Sequence, residues 1–476
     1  TDFLGYYAWD VPDGDYRVAV GRYGYRSATS EIVYVPPEVL DLDVGLERDG
    51  LPYTYFFAEG CTRAGFEEWL CLQNPGEEDA LVTVDYMLGT GENRQQQVAV
   101  PARSRRTVSV NDFIGPEQDV SMSVSSDRMI VAERPMYYDY KQFDPAFRWT
   151  GGHDVVGAEY KGYEFYFAEG CTRPGFEEWI CLQNPNDEEA KVQVQYMLGT
   201  GENIVKDYAV APKSRFTVNV NSDVGPDKDV SARVVSTNWV PIMAERPMYF
   251  NYRGSWTGGH DVAGANYPYS CWYFAEGCTR AGFEEWLCLQ NPGSFPAEVD
   301  ITYMLGTGEN RIQEITVAPH SRYTVDVNAF LGPEQDVSAL VCSDNPIVAE
   351  RPMYFNYHGA WTGGHDVVGA TYTKDKWFFA EGCTREGFEE WLCIQNPNEG
   401  PVDVHITYML GTGENKTRDL SVPGRTRMTV NAADTVGAGQ DVSAMVTSTG
   451  GRIICERPMY FDYHGKWTGG HCVVGY

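Results

Sequence analysis

Four cysteine pairs punctuate this 476-residue sequence: Cys61/Cys71, Cys171/Cys181, Cys278/Cys288 and Cys383/Cys393, the members of each pair ten positions apart. Thiols at such a spacing can close a disulfide, contribute to a structural zinc site, or sit reduced in a core. Zinc needs about four ligands, usually in close C-x2-C or C-x4-C knuckles, and no second pair lies near any of these. A disulfide closing so short a loop would remove about 2–3 kcal/mol of unfolded-chain entropy. The spacing therefore predicts four loop disulfides. Four further cysteines arrive in twos, Cys271 with Cys342 and Cys455 with Cys472, as extra staples would. An intersubunit or interdomain partner is the alternative for Cys472. Disulfides on this scale imply an oxidising compartment, so an extracellular or cell-surface location is expected.

The charged residues that recur are Glu133-Arg134, Glu245-Arg246, Glu350-Arg351 and Glu456-Arg457, each followed by proline. A hydrogen-bonded arginine paired with a loop charge such as Glu59 would serve as a structural ion pair at a domain seam. Binding of a ligand by this arginine, or by Arg63, Arg173, Arg280 or Arg385, is the sharper alternative. Trp149 with His153-Asp154 has the look of a fragment of a metal or sugar site. In the fourth copy, however, the Asp position is Cys472, so no metal is assigned. Glu67 and Glu68 are adjacent and should point to opposite sides of a strand, which makes them poor partners for glycoside hydrolysis. No Ser-His-Asp frame, phosphate loop or HExxH occurs, so neither a catalytic residue nor a cofactor is expected.

The elements that must position these residues repeat with them. The phrase AEGCT-R-x-GFEEW-(L/I)-C-(L/I)-QNP begins at Ala58, Ala168, Ala275 and Ala380, with first-cysteine spacings of 110, 107 and 105 residues. That is the length of a small domain, too long for a solenoid unit. Each copy runs from an aromatic strand through the cysteine segment to an alternating strand such as Val82–Leu88. A GTGEN turn follows, then an Arg-x-Thr-Val-x-Val-Asn run, and finally ERPMY and WTGGH. Six to eight short strands with period-two alternation, and no 3.6-residue period, predict a β-sandwich of immunoglobulin-like size. The expected domains are residues 51–158, 159–265, 266–370 and 371–476, behind a different segment at 1–50. Flexible linkers are lacking, so consecutive domains should abut as an elongated rod. Within 1–50, strands are expected near Tyr16–Val20, Ile32–Val35 and Leu40–Val44.

A net charge of -30, from 67 acidic against 37 basic residues, argues against nucleic acid as a partner. No apolar run is long enough for a membrane span. Asn415-Lys416-Thr417 is a lone glycosylation sequon.

The words AEGCT…GFEEWLCLQNP, AERPMYF and GGHDVVGA resemble immunoglobulin-like repeat modules of secreted and cell-wall proteins of actinobacteria, over about residues 51–476. Residues 9–25, W-x-V-P-x-G-x-Y-x-V-x-V-G-x-x-G-Y, resemble the latter half of a carboxypeptidase-regulatory-like β-domain. These resemblances imply a surface setting and no catalysis. The expectation is an extracellular structural protein, a disulfide-stapled rod or filament subunit that associates head to tail or attaches to a cell wall. The alternative is an adhesin or carbohydrate-binding stalk of a larger secreted protein, with a glycan as partner.

Overall fold

The computed structural model describes residues 14–16, 19–20, 28–30, 33–35, 53–144 and 148–476. The chain divides into two units, Thr1–Tyr53 and Thr54–Tyr476. In the first, β1 (Gly14–Tyr16) pairs with β4 (Val33–Val35) and β2 (Ala19–Val20) with β3 (Ala28–Thr29), all antiparallel. The strand expected at Leu40–Val44 lies outside the described residues.

The first repeat sets the pattern for the rest. Strand β5 (Tyr53–Phe57) leads through the AEGCT loop into β6 (Phe66–Asn74), and a turn leads on to β7 (Ala80–Leu88). In β7, Ala80, Val82, Val84 and Tyr86 are buried while Leu81 is exposed and Thr83 and Asp85 are half-buried. This is the period-two pattern of a strand with one face in a core. Its hairpin with β8 (Asn93–Val100) turns at Gly91, whose φ of +83° favours glycine. Then come β9 (Ser104–Ser109), β10 (Val120–Ser126), β11 (Val131–Glu133), β12 (Met136–Tyr140) and β13 (Trp149–His153).

One sheet has the order β5-β10-β7-β8, and the other β11-β6-β12-β13 with β9 also on β6. All of these pairings are antiparallel, and the two sheets form the expected sandwich. A one-turn helix, α1 (Val110–Ile114), follows β9; the Ser109 side chain accepts from the Asp112 N–H at its start. Its counterparts are Val220–Val224, Val327–Leu331 and Ala433–Val436. Helices this short cannot display a 3.6-residue period, which is why the alternation alone did not predict them.

After β13 the chain returns to its own first strand, where Phe56 and Ala158 exchange backbone hydrogen bonds. Tyr166 with Ala265, Tyr273 with Ala370 and Phe378 with Tyr476 repeat the closure. The strand Trp361–His365 and its three counterparts, β13, Trp256–His260 and Trp467–Val474, then meet side by side. Glycines permit this approach. A Cβ on Gly151 would lie 3.1 Å from the Gly258 Cα, one on Gly258 3.0 Å from Gly363, one on Gly363 3.0 Å from Gly469, and one on Gly469 3.1 Å from Gly151.

That cycle overturns the elongated rod. The repeats abut, but the fourth also packs on the first, and Thr54–Tyr476 is a closed ring with pseudo-four-fold symmetry. A heterologous contact makes an open row only when its rotation fails to close; here it closes after four steps. The cores follow the same order. Phe56 and Ala58 of repeat 1 join the core of repeat 2, Tyr166 and Ala168 that of repeat 3, and Ala275 that of repeat 4. Phe378 and Ala380 of repeat 4 pack with Cys71 and Val131 of repeat 1.

Candidate functional site

The recurring charged words meet at the seams between repeats. Arg134 ends the return from β11 and is fully buried; its guanidinium lies 2.8 Å from Glu59 of its own repeat. It also reaches 3.3 Å to Glu245 and 2.5 Å to Asp261 of the next repeat. Arg246 does the same with Glu169, Glu350 and Asp366. Arg457 meets Glu381, Glu133 and Asp154, so the last repeat grips the first. Arg351 binds Glu276 and Glu456, and its third partner is the Cys472 sulfur at 3.6 Å.

Each seam glutamate also accepts backbone N–H groups of the preceding repeat. Glu133 accepts from Ala380 and Glu381, Glu245 from Glu59, Glu350 from Ala168 and Glu169, and Glu456 from Ala275 and Glu276. Gln73, Gln183, Gln290 and Gln395 donate back to the carbonyls of Ala444, Met122, Ala232 and Ala339.

Electrostatics reflect this enclosure. Burial would lower Arg134, but Glu245, Asp261 and Glu59 more than offset that and hold it well above its ordinary value. Burial pushes Glu59 up to about 7 despite Arg134, and Glu68 up to about 8. Glu169 and Glu381 are raised to about 7, and Glu178, Glu285 and Glu390 to about 8, again chiefly by burial. One arginine facing several carboxyls leaves excess negative charge in a dry seam, and proton uptake relieves it.

On the axis, His153, His260, His365 and His471 are each 1% exposed, and no ring nitrogen of the four has a hydrogen-bond partner. Burial, then the nearest seam arginine, holds all four well below the usual histidine range.

The cysteines correct the sequence-based pairing. Among the described residues only Cys271–Cys342 is a disulfide, bridging partners in neighbouring antiparallel strands. Cys61, Cys71, Cys171, Cys181, Cys278, Cys288, Cys383, Cys393, Cys455 and Cys472 are buried thiols. The reason is geometric. Cys61 pairs with Asp119 at the loop, whereas Cys71 sits five residues into β6, carried roughly 16 Å along an extended strand. There Cys71 accepts from Arg105, and its counterparts Cys181, Cys288 and Cys393 from Arg215, Arg322 and Arg427. Cys455 lies opposite Ile394 in the fourth core, and Cys472 lies opposite Pro458, out of register with it.

Outside the buried clusters, two of the seams open into grooves. Between repeats 1 and 2 a cavity of about 860 Å³ is lined by Arg63, Phe66, Tyr140, Trp149, Phe176 and Trp179 among others. Between repeats 4 and 1 one of about 820 Å³ includes Trp69, Tyr137, Arg385, Phe388, Tyr463 and His464. The Arg63 and Arg385 side chains are 53% and 55% exposed, so these arginines, unlike Arg134, can meet a solute. Arg63, Arg173, Arg280 and Arg385 pair with Asp119, Asp229, Asp336 and Asp441.

At every seam two tyrosines stack face to face: Tyr140 with Tyr249, Tyr252 with Tyr354, Tyr357 with Tyr460 and Tyr463 with Tyr137. Their centroids lie 4.2, 4.1, 4.0 and 4.0 Å apart. The first-named hydroxyls donate at 2.6 Å to Glu177, Glu284, Glu389 and Glu67. Those carboxylates also take Lys141, Arg253, His358 and His464 as partners. Glu67 thus faces the groove and Glu68 the interior, as adjacent strand residues must.

The seam roles of Asp154, Asp261 and Asp366 and of the QNP glutamines were not read from the sequence. Their signal was available: the Asp recurs with the ERP arginine, and its one replacement is Cys472.

No family model matches the chain, and no curated protein does. Among solved structures, a Thermotoga maritima protein designated 1070 is 18% identical, covering 22% of this chain and 96% of its own, with a TM-score of 0.21. The Anabaena sensory rhodopsin transducer is 26% identical, covering 18% of this chain and 88% of its own, with a TM-score of 0.17. A tetra-tandem repeat from the extending region of a large adhesion protein is 9% identical, covering 84% and 92%, with a TM-score of 0.10. No helix among the described residues is long and apolar enough to cross a membrane.

Proposed function

We propose that this protein is a non-catalytic, multivalent binding module that presents several equivalent seam grooves around one ring. The observation that carries this reading is the closure itself, which repeats one aromatic and arginine-bearing seam at every quarter turn. A non-catalytic role is supported by the seam carboxyls and arginines, which are sealed between repeats and spent on each other. Head-to-tail polymerisation through repeat faces loses its support, because those faces are already occupied within the chain.

The ligand class that suits the grooves is a repetitive polar polymer such as a cell-surface or cell-wall glycan. Aromatic rings offer flat faces, and the exposed arginines and acids offer directional hydrogen bonds. Sites held on one rigid body gain avidity for a ligand that spans them, on the order of 10²-fold or more. The Cys271–Cys342 disulfide supports a location outside the reducing cytosol.

The test is co-sedimentation with insoluble cell-wall polysaccharides, comparing wild type with R63A alone and with R63A/R173A/R280A/R385A. These arginines are half exposed, so the ring should stay folded. Binding should fall modestly in the single variant and by at least about tenfold in the quadruple one. Binding that survives the quadruple change unaltered refutes the groove.

A further inference from the structure

One seam departs from the other three, and the departure falls where metal-binding donors converge. Where the other seams carry Asp154, Asp261 or Asp366, the junction of repeats 3 and 4 carries Cys472. Glu276, His365 and Cys472 are all buried there, with donor atoms within 4.8 Å of one another, the one such group among the described residues. They come from three places: the loop after the first strand of repeat 3, its axial strand Trp361–His365, and the axial strand Trp467–Val474 of repeat 4. His365 is 1% exposed with neither ring nitrogen engaged. A buried polar group without a partner calls for one. The other axial histidines are equally unpartnered, but only at His365 do a thiol and a carboxylate converge.

We propose that Glu276, His365 and Cys472 bind one divalent cation of the zinc class, cross-linking repeats 3 and 4. A sulfur, imidazole and carboxylate set suits a borderline cation rather than calcium or magnesium. Tetrahedral bonds of about 2.0–2.3 Å place ligands roughly 3.5 Å apart, so donors within 4.8 Å of one another need to close by about 1.3 Å at most. On binding, the Cys472 thiol loses its proton to solvent and sulfur donates to the metal.

The surrounding charges accommodate this. Arg351 holds Glu276 Oε2 and Glu456, which leaves Glu276 Oε1, its contact to the Tyr460 hydroxyl a long 3.4 Å. Glu456 Oε2, 3.5 Å from the sulfur, is the nearest further donor. Glu285, Arg427 and Arg351 also face the cluster electrostatically. With the thiolate formed, Glu276, Glu456 and the sulfur together outweigh Arg351 and Arg427 even with Glu285 protonated, and a divalent cation offsets the surplus.

The test uses the full chain refolded with Zn²⁺ or Co²⁺ and then desalted, beside C472D, which installs the residue the other three seams already accommodate. Wild type should retain about one metal per chain, and with Co²⁺ show the sulfur-to-cobalt charge-transfer band in the near ultraviolet. C472D should lose the band and at least about tenfold of the retained metal, and only wild type should unfold at lower temperature after chelation. Wild type that retains no more metal than C472D, or binds Co²⁺ without the thiolate band, overturns the proposal.

Discussion

Removing the Arg457 guanidinium tests ring closure most directly. This side chain joins positions 324 and 303 residues away, Glu133 and Asp154, and also holds Glu381 of its own repeat. The contacts are 2.9, 2.5 and 2.6 Å, and none of the side chains involved is more than 7% exposed. At an effective dielectric of about 20, each contact contributes about 6 kcal/mol of Coulomb attraction, most of it cancelled by desolvation. Truncation leaves the carboxylates buried without a cation, so R457M should lose about 3–5 kcal/mol at pH 8. At pH 5 the loss should shrink by about a third, because burial holds Glu381, one of the three carboxyl partners, at about 7 and it is then neutral whether or not the arginine is present. Urea unfolding followed by tryptophan fluorescence at both pH values reads the effect. R103M is the control, since Arg103 pairs with Glu77 on the exposed surface. If R457M matches R103M at pH 8, or costs as much at pH 5 as at pH 8, the seam account is wrong.

Four further outcomes are expected. G363A should cost about 1–3 kcal/mol in thermal unfolding, since its Cβ would lie 2.7 Å from Phe355 Cζ and 3.0 Å from Gly469 Cα. G400A, with nothing within 4 Å, should stay within about 0.5 kcal/mol of wild type. Glu59, Glu169 and Glu381 at about 7, and Glu68, Glu178, Glu285 and Glu390 at about 8, lie above the unfolded 4.5. The folded ring therefore keeps protons that the unfolded chain releases, and their stabilisation is complete below 4.5 and lost as pH rises through 8. The depressed axial histidines act oppositely, but only below their unfolded 6.5. The urea midpoint should accordingly fall from pH 6.5 to 8, and a flat profile contradicts the assignment. A protease site inserted after the exposed Tyr267 should yield fragments that co-elute on gel filtration until denaturant is added; fragments that part on cutting contradict the ring. Alkylation after denaturation without reductant should label ten thiols per chain and spare Cys271 and Cys342.

Local structure was legible because alternation and turn chemistry are local. The buried Val82, Val84 and Tyr86 on one face of β7, and Gly91 at positive φ, follow from residue type and spacing alone. The sandwich follows from those strands, and the seam location of Glu133-Arg134 from the return of a charged pair beside proline. Ring closure was not legible. A row of abutting domains and a closed cycle contain the same seam, and they differ only in the rotation each seam imposes, which no single repeat encodes. The Gly-Gly of WTGGH was the available hint, since two small residues beside a buried histidine mark a close backbone approach. The cysteine pairing failed for a related reason. Ten residues is a short loop in sequence, yet β6 spends half of it fully extended, separating the sulfurs that the count brings together.

Because one polypeptide supplies every quarter of the ring, the corners are free to diverge in a way that four identical subunits could not. The groove carboxylates Glu177, Glu284, Glu389 and Glu67 are constant, but the cations facing them are an ammonium at Lys141, a guanidinium at Arg253 and imidazoles at His358 and His464. Lateral order around the ring is thereby written into the surface. A bound polymer would meet an ammonium, a guanidinium and two imidazoles in fixed succession, so the molecule has an orientation about its axis that its backbone symmetry alone would erase.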